Sequence, residues 1–289
     1  TWLDVHGGYT CVNLGYGRTE IAEVAYDQIS KITYFPQGTT TVPVIQLCEK
    51  LAELTPGDIN RSWPGSGGSE ANETAIKMAR AYHNRRGESG RYKVISRKGS
   101  YHGTTGGVLW LGGSPSASRS DFEPEYPGMI YAPQPNAYRC ELGGADSSEC
   151  AIRCAEDVER LVLQNDPNTI AAFIGEPIAT PLGCPVPGQE YWPMIREICD
   201  KYGILLISDE VICGFGRTGK MFAIDHWGVV PDIMTVAKGI ISSYLPLAAT
   251  VVSEEIATPF AGKDNYLRHV FTSSGHPCLL YTSDAADEG

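Results

Sequence analysis

With 289 residues, 20% of them charged and 42% hydrophobic, the chain can bury one large core, or one domain and part of a second. Its apolar runs are far too short to cross a bilayer, which excludes a membrane span as its working part. A formal net charge of −11 supplies no basic surface for a phosphate backbone and excludes nucleic acid as the main partner.

In chain order, Thr19 opens a helical pattern that places Ile21, Val24, Ala25, Ile29 and Ile32 on one face. A second pattern runs from Val44 through Leu47 and Leu51 to Leu54, and the turn Thr55-Pro56-Gly57 ends it. A glycine-serine turn then leads into a helix expected from about Glu70 to Arg86. Strands are expected at Tyr92–Ser96, Ile170–Gly175, Ile204–Ser208, Ile233–Ala237 and Leu247–Val252, with amphipathic helices between several of them. Such alternation predicts an α/β fold, a mainly parallel sheet with helices on both faces, whose ligand chemistry sits at the carboxyl ends of the strands. Gly112 to Gly144, rich in Pro, Ser and Gly, reads as a long surface excursion.

The nine cysteines contain no CxxC pair, and Cys140, Cys150 and Cys154 are their one cluster. They read as reduced, mostly structural thiols with no metal site, which points to a cytoplasmic home. The last stretch, Cys278 to Gly289, reads CLLYTSDAADEG and resembles the translated read-through of a transposon-type sequencing adapter. On that reading the native sequence stops at Pro277. Removing Asp284, Asp287 and Glu288 then leaves a native charge of 23 − 31 = −8.

Four local patterns carry chemistry. Asp209 follows the apolar run Ile204 to Ile207, where a carboxylate is largely desolvated and needs a cationic partner. A protonated pyridine nitrogen is such a partner, although the motif alone fits a turn-capping aspartate equally well. Lys238 comes directly after a second apolar strand, and an amine held among apolar groups is the kind enzymes use as a Schiff-base nucleophile. Taken singly, it also fits a lysine that reaches out to solvent. The two together, ending two successive strands of one sheet, suit a ring held by Asp209 at one end and by Lys238 at an aldehyde carbon. The turn Gly65 to Ser69 opens a helix, and glycines beside free backbone N–H groups make an anion site suited to a phosphate ester. Tyr101-His102-Gly103 lies at the end of a strand, where an aromatic ring can stack on a flat heterocycle.

Two decoys compete. Gly214, Gly216 and Gly219 spell GxGxxG, yet Phe215 and Arg217 crowd the loop and no clear helical period follows Lys220. The same residues nearly spell a P-loop, but Met221 stands where a Mg²⁺-binding hydroxyl is required.

The segments GGSEANETAIKMARAYH, ISRKGSYHG, FIGEP, LLISDEVICGFGRTG, TVAKGI and FTSSGHP occur in the order found in class III pyridoxal-phosphate aminotransferases, the ω-aminotransferase family. The resemblance covers Thr1 to Pro277. It implies fold type I, with 1–45 an N-terminal segment belonging to the small domain, 46–277 the large cofactor-binding domain, and the small C-terminal domain missing from this sequence. It makes Lys238 the Schiff-base lysine and Asp209 the partner of the pyridine nitrogen of pyridoxal 5'-phosphate. Gly68 and Ser69 would cradle the phosphate; Tyr101 and Val211 would sandwich the ring, with His102 close by. Thr272 would reach the phosphate of a neighbouring subunit, which implies a homodimer with shared active sites. Glu176 resembles the carboxylate that pairs with a mobile substrate-binding arginine beyond Pro277, and Tyr34 and Phe35 are expected near the substrate. Ile212 stands where the aminotransferases of GABA, ornithine and acetylornithine usually carry Gln, and Gly67 where Ser is common. The first departure is closer to the pyruvate-dependent branch that uses ω-amino acids and amines. The expected reaction moves an amino group from such a donor to a keto acid; a decarboxylase or racemase on the same site, or a fragment that binds cofactor without turnover, is the alternative.

Overall fold

A computed structural model describes residues 2–36, 39–113 and 119–277, so the adapter-like stretch from Cys278 lies outside the described residues. Seven strands form one sheet: β1 (Ile59–Gly65), β2 (Lys93–Arg97), β3 (Met129–Ala132), β4 (Ile170–Gly175), β5 (Leu205–Asp209), β6 (Ile233–Val236) and β7 (Ala248–Ser253). Their order is β1-β7-β6-β5-β4-β2-β3. The four pairings from β3 to β6 are parallel, and β7 runs antiparallel to both β6 and β1. The expected strands appear within a residue or so of their predicted ends. Sequence patterning missed β1 and β3, the two edges. The reading of Gly112 to Gly144 as a surface excursion is corrected, because this stretch contains β3 with Ile130 and Ala132 buried.

The helices are α1 (Gly7–Thr10), a single turn, then α2 (Thr19–Lys31), α3 (Val42–Leu54), α4 (Gly68–Arg85), α5 (Ser147–Gln164), α6 (Tyr191–Tyr202) and the short α7 (Glu254–Ala257). Successive strand residues feed opposite faces of the sheet. Ile95, Phe173, Leu206, Met234 and Val251 pack with α3, α5 and α6 in one core. Val94, Ala172, Ile174, Leu205, Ile207 and Ile233 pack with α4 and Ile256 of α7 in another. Burial on both faces explains why these strands read as unbroken apolar runs. Helix α5 starts where the Asp146 carboxylate accepts the Glu149 N–H at 2.8 Å, a cap worth about 1 kcal/mol. Helix α6 ends at Gly203, whose φ of +64° admits the left-handed turn only cheaply for glycine.

The parallel strands β2, β4, β5 and β6 all end at one edge of the sheet. The segments that follow them carry Tyr101 and His102, Glu176, Asp209 and Lys238 respectively. The N-terminal segment reaches the same edge: the Leu14 N–H donates to Ser242 Oγ at 2.9 Å and the Arg18 N–H to the Tyr244 hydroxyl at 2.9 Å.

Candidate active site

A cavity of about 430 Å³ opens at that edge, and Gly68, Ser69, Tyr101, His102, Glu176, Asp209, Val211 and Lys238 all line it. Eight of the sequence-predicted site residues, drawn from five separate segments, therefore meet in one place. Three others do not line it. Tyr34 is exposed and donates its hydroxyl proton to the Thr272 carbonyl at 2.9 Å, while Thr272 is itself exposed and Phe35 half-buried.

Asp209 closes β5 and is 3% exposed, so its charge depends on its neighbours. Its Oδ2 accepts from Asn72 Nδ2 at 2.8 Å and lies 2.7 Å from His102 Nδ1; its Oδ1 accepts the Val211 N–H at 3.0 Å. Burial raises the Asp209 carboxyl, but the hydrogen bond and charge of His102 outweigh it and hold the group below its ordinary value. His102 responds in the opposite sense: burial pulls it toward neutrality, and the charge of Glu176 with the bond to Asp209 overrides this and raises it. Each member of the pair therefore holds the other toward its charged form, against the burial that opposes charge on both.

Sequence reasoning overlooked Asn72 and Thr235. Asn72 lies at the start of the second turn of α4 and donates to both Asp209 and the His102 carbonyl, at 2.8 Å each, while its own Oδ1 accepts from Thr235 Oγ1 at 2.8 Å. Thr235 pairs with Asp209 across β5 and β6, so three elements fix the carboxylate. The signal available in the sequence was an Asn inside the apolar register of a helix.

Glu176 follows β4, 4% exposed, and its cation within this chain is Arg97. Arg97, 1% exposed, lies 3.3 Å from Glu176 Oε2, donates to the Glu176 carbonyl, and stands over the rings of Tyr191 and Trp192 at 5.8 and 5.3 Å. Glu176 also accepts the Tyr101 N–H at 3.0 Å. The carboxylate expected to await an arginine beyond Pro277 is therefore already paired, and it orients the Tyr101 loop. Arg97 was missed because a strand-end arginine in SRKGS reads as a solvent-facing charge.

Lys238 opens a 3-10 turn, half-buried, with φ +47°, a left-handed conformation that costs a non-glycine residue on the order of 1 kcal/mol. Strain of this kind is found where a side chain must be aimed. Its ammonium has no ion-pair partner among the described residues. Across the cavity, α4 begins at Gly67 without a side-chain cap, which leaves the first N–H groups of the helix unpaired beside Ser69. A Cβ on Gly68 would lie 2.9 Å from Val211 Cγ1, so glycine is what lets the turn and Val211 approach each other. Ser69 Oγ accepts the Thr104 N–H at 3.1 Å, tying the turn to the Tyr101 loop.

These residues fit pyridoxal phosphate: uncapped amides at a helix start for an anion, a buried ionised carboxylate for a ring cation, and an unpaired amine between them. The GxGxxG decoy fails in structure as well. The turn opens no α-helix, the next regular element being the 3-10 segment Ala223–Trp227, and Arg217 folds back on the Ile212 carbonyl at 2.9 Å.

The comparisons agree with the geometry. The class-III aminotransferase model matches residues 1–283. The uncharacterized aminotransferase YhxA of Bacillus subtilis is 44% identical over 96% of this chain and 61% of its own length. The putrescine–pyruvate aminotransferase of Pseudomonas aeruginosa is 40% identical over 95% of the chain and 60% of its own length. The crystal structure of a thermostable (S)-enantioselective ω-transaminase from Thermomicrobium roseum superposes with a TM-score of 0.95 at 42% identity, covering 99% of this chain and 64% of that one. The chain thus spans 60–61% of the length of these curated relatives. With the fold, the order of motifs and the family model in agreement, the chain belongs to the class-III aminotransferase family.

Proposed function

We propose that this chain is the cofactor-binding part of a pyridoxal-phosphate transaminase that moves an amino group from an amine or ω-amino acid to a keto acid such as pyruvate. The observation that carries the reading is the convergence of Lys238, Asp209 and the uncapped start of α4 on one cavity. Pyridoxal phosphate, when bound, supplies an electron sink for the charge that develops when the donor carbon loses its proton. Asp209, held below its ordinary value beside His102, would keep a proton on a ring nitrogen and so keep that sink effective. The Gly68 and Ser69 amides would hold the phosphate, and Tyr101 and Val211, which line the same cavity, would contact the ring. The Lys238 amine would hold the cofactor, and the same nitrogen would serve as the base that takes the proton from the donor carbon and returns it. Glu176, already paired with Arg97, lines the cavity and would share its charge with a substrate-side cation. Ile212, also on the wall, leaves it apolar, which supports an amine or ω-amino-acid donor with pyruvate as acceptor.

Residues 46–277 act as the large domain in this reading, and residues 1–45 belong to the small one. Thr272, whose carbonyl accepts from the Tyr34 hydroxyl outside the cavity, would reach the phosphate site of a second copy in a homodimer. No described helix is long and apolar enough to cross a membrane, and the eight described cysteines are unbridged. Reduced thiols support a cytoplasmic location.

The test is to add pyridoxal phosphate and then borohydride. The cofactor is expected on the Lys238 peptide, and Lys238→Ala is expected to bind it without label. An amine donor given before the reductant should protect Lys238, and pyruvate should restore labelling. Carbon dioxide release would indicate a decarboxylase, donor epimerisation without an acceptor a racemase, and absence of label on Lys238 would overturn the assignment.

A further inference from the structure

Cys140, Cys150 and Cys154 lie outside the cavity, on the face of the sheet covered by α5 and α6. Their Sγ atoms are all within 4.8 Å of one another, the one group of three or more metal-ligating side chains found among the described residues. Cys150 and Cys154 are one turn apart on α5 and share a face, both at or below 1% exposure. Cys140 comes from the preceding loop and is half-buried, giving the trio a side open to solvent.

That loop is fastened to the helix. Ala145 N–H donates to Glu149 Oε2 at 2.8 Å, and Arg153 Nη1 donates to the Leu142 carbonyl at 2.8 Å. A Cβ on Gly144 would lie 2.5 Å from Cys150 Cα, so the loop backbone rests directly on the helix and only glycine permits it. The third sulfur is therefore held in place rather than brought there by chance.

An all-cysteine donor set is soft, and it selects copper(I), zinc or an iron–sulfur centre over harder ions. Zinc sites held by protein are tetrahedral, and the group provides three ligands, with no fourth among the described residues. Three thiolates suit an ion content with three-fold coordination. At a metal–sulfur distance of about 2.3 Å, a trigonal plane spaces its sulfurs roughly 4 Å apart, within small side-chain adjustments of the spacing seen. A disulfide would use two of the sulfurs and strand the third.

We propose that Cys140, Cys150 and Cys154 form a three-thiolate site for one copper(I) ion, separate from the amino-transfer site. Binding forms three Cu–S bonds and releases the thiol protons to solvent, with no change of oxidation state.

The test is anaerobic titration of the reduced full chain with copper(I) buffered by a competing chelator. One copper per chain is expected, with a sulfur-only shell of three in X-ray absorption and protons released on binding. Since loss of an outer partner alone weakens metal sites by 10–100-fold, Cys140→Ser is expected to weaken binding by at least ~100-fold. Cys154→Ala should do the same, and Cys184→Ser, at an exposed thiol, should leave binding unchanged. Thermal melts of the apo variants separate ligand loss from misfolding, and Cys140→Ser alters a loop position outside the helix. Unchanged affinity in Cys140→Ser and Cys154→Ala, loss of the copper in Cys184→Ser, or nitrogen or oxygen in the shell would overturn the proposal.

Discussion

Replacing Asp209 by Asn tests the electrostatics of the site on the apo chain, before any chemistry. The carboxylate uses both oxygens as acceptors: Oδ2 faces His102 at 2.7 Å and Asn72 at 2.8 Å, and Oδ1 faces the Val211 N–H at 3.0 Å. An amide has one oxygen. In one orientation its NH₂ meets the Val211 N–H, and in the other it meets the Asn72 NH₂ and His102, so a buried donor is left facing a donor either way. An unsatisfied buried group costs about 1–3 kcal/mol, and removing one member of a buried ion pair about 3–5 kcal/mol. Glu176 remains 3.8 Å from His102 Nε2 and recovers part of the loss, so a net cost of about 3 kcal/mol is expected. For a chain of this size that corresponds to a fall of about 6 °C in Tm. His102 should also lose its proton more readily, because the burial that pulls it toward neutrality then faces one carboxylate instead of two. Differential scanning calorimetry gives the first quantity and the NMR titration of His102 the second. A variant that melts with the parent and keeps His102 protonated over the same pH range would refute the assigned pair. With cofactor bound, and in a form extended to the length of the relatives, the amine half-reaction should slow by ~100–1,000-fold. Cofactor affinity should fall only about tenfold, since the phosphate anchor is untouched.

The remaining predictions concern residues around this pair. Gly68→Ala places a methyl 2.9 Å from Val211 Cγ1 and should weaken pyridoxal-phosphate binding by about tenfold in a fluorescence titration. Asn72→Ala strands the Thr235 hydroxyl and removes a donor from Asp209, which should cost about 2 kcal/mol in urea denaturation; Asn72→Asp, which restores an acceptor for Thr235 but sets a charge against Asp209, should not rescue it. Glu210 is fully buried, and burial pushes its carboxyl from 4.5 to about 8 against the Ile224 and Ala223 N–H donors. The folded value lies above the unfolded one, so the stability gained by keeping the proton is complete below pH 4.5 and is lost as pH rises toward 8, a change on the order of 5 kcal/mol. Glu210→Gln should flatten that part of the Tm profile against pH, and a profile of unaltered slope would show the carboxyl to be ionised throughout.

What the sequence revealed and what it hid follow from the same physics. Asp209 and Lys238 stood out because β5 and β6 are buried on both faces, so an ionisable residue at their ends breaks an unbroken apolar run. Strands β1 and β3 carry no such run. Each has a single neighbour, and β1 accommodates Pro64 and an Arg61 that pairs with Glu254 at 2.7 Å, features an edge tolerates and a central strand does not. The charge partners were hidden for a different reason. Arg97 and Asn72 look like surface residues in one dimension, and only the convergence of β2, β4, β5 and α4 turns them inward to meet Glu176 and Asp209. The two pairs are also linked: His102 Nδ1 faces Asp209 and its Nε2 faces Glu176, which Arg97 holds. The charge at Asp209 therefore depends on a guanidinium that lies over the rings of Tyr191 and Trp192 at the start of α6. A change in that aromatic packing should reach Asp209 through three side chains without touching the cavity, so the acidity of the site is a property of the core on the far side of the sheet as much as of the residues that line it.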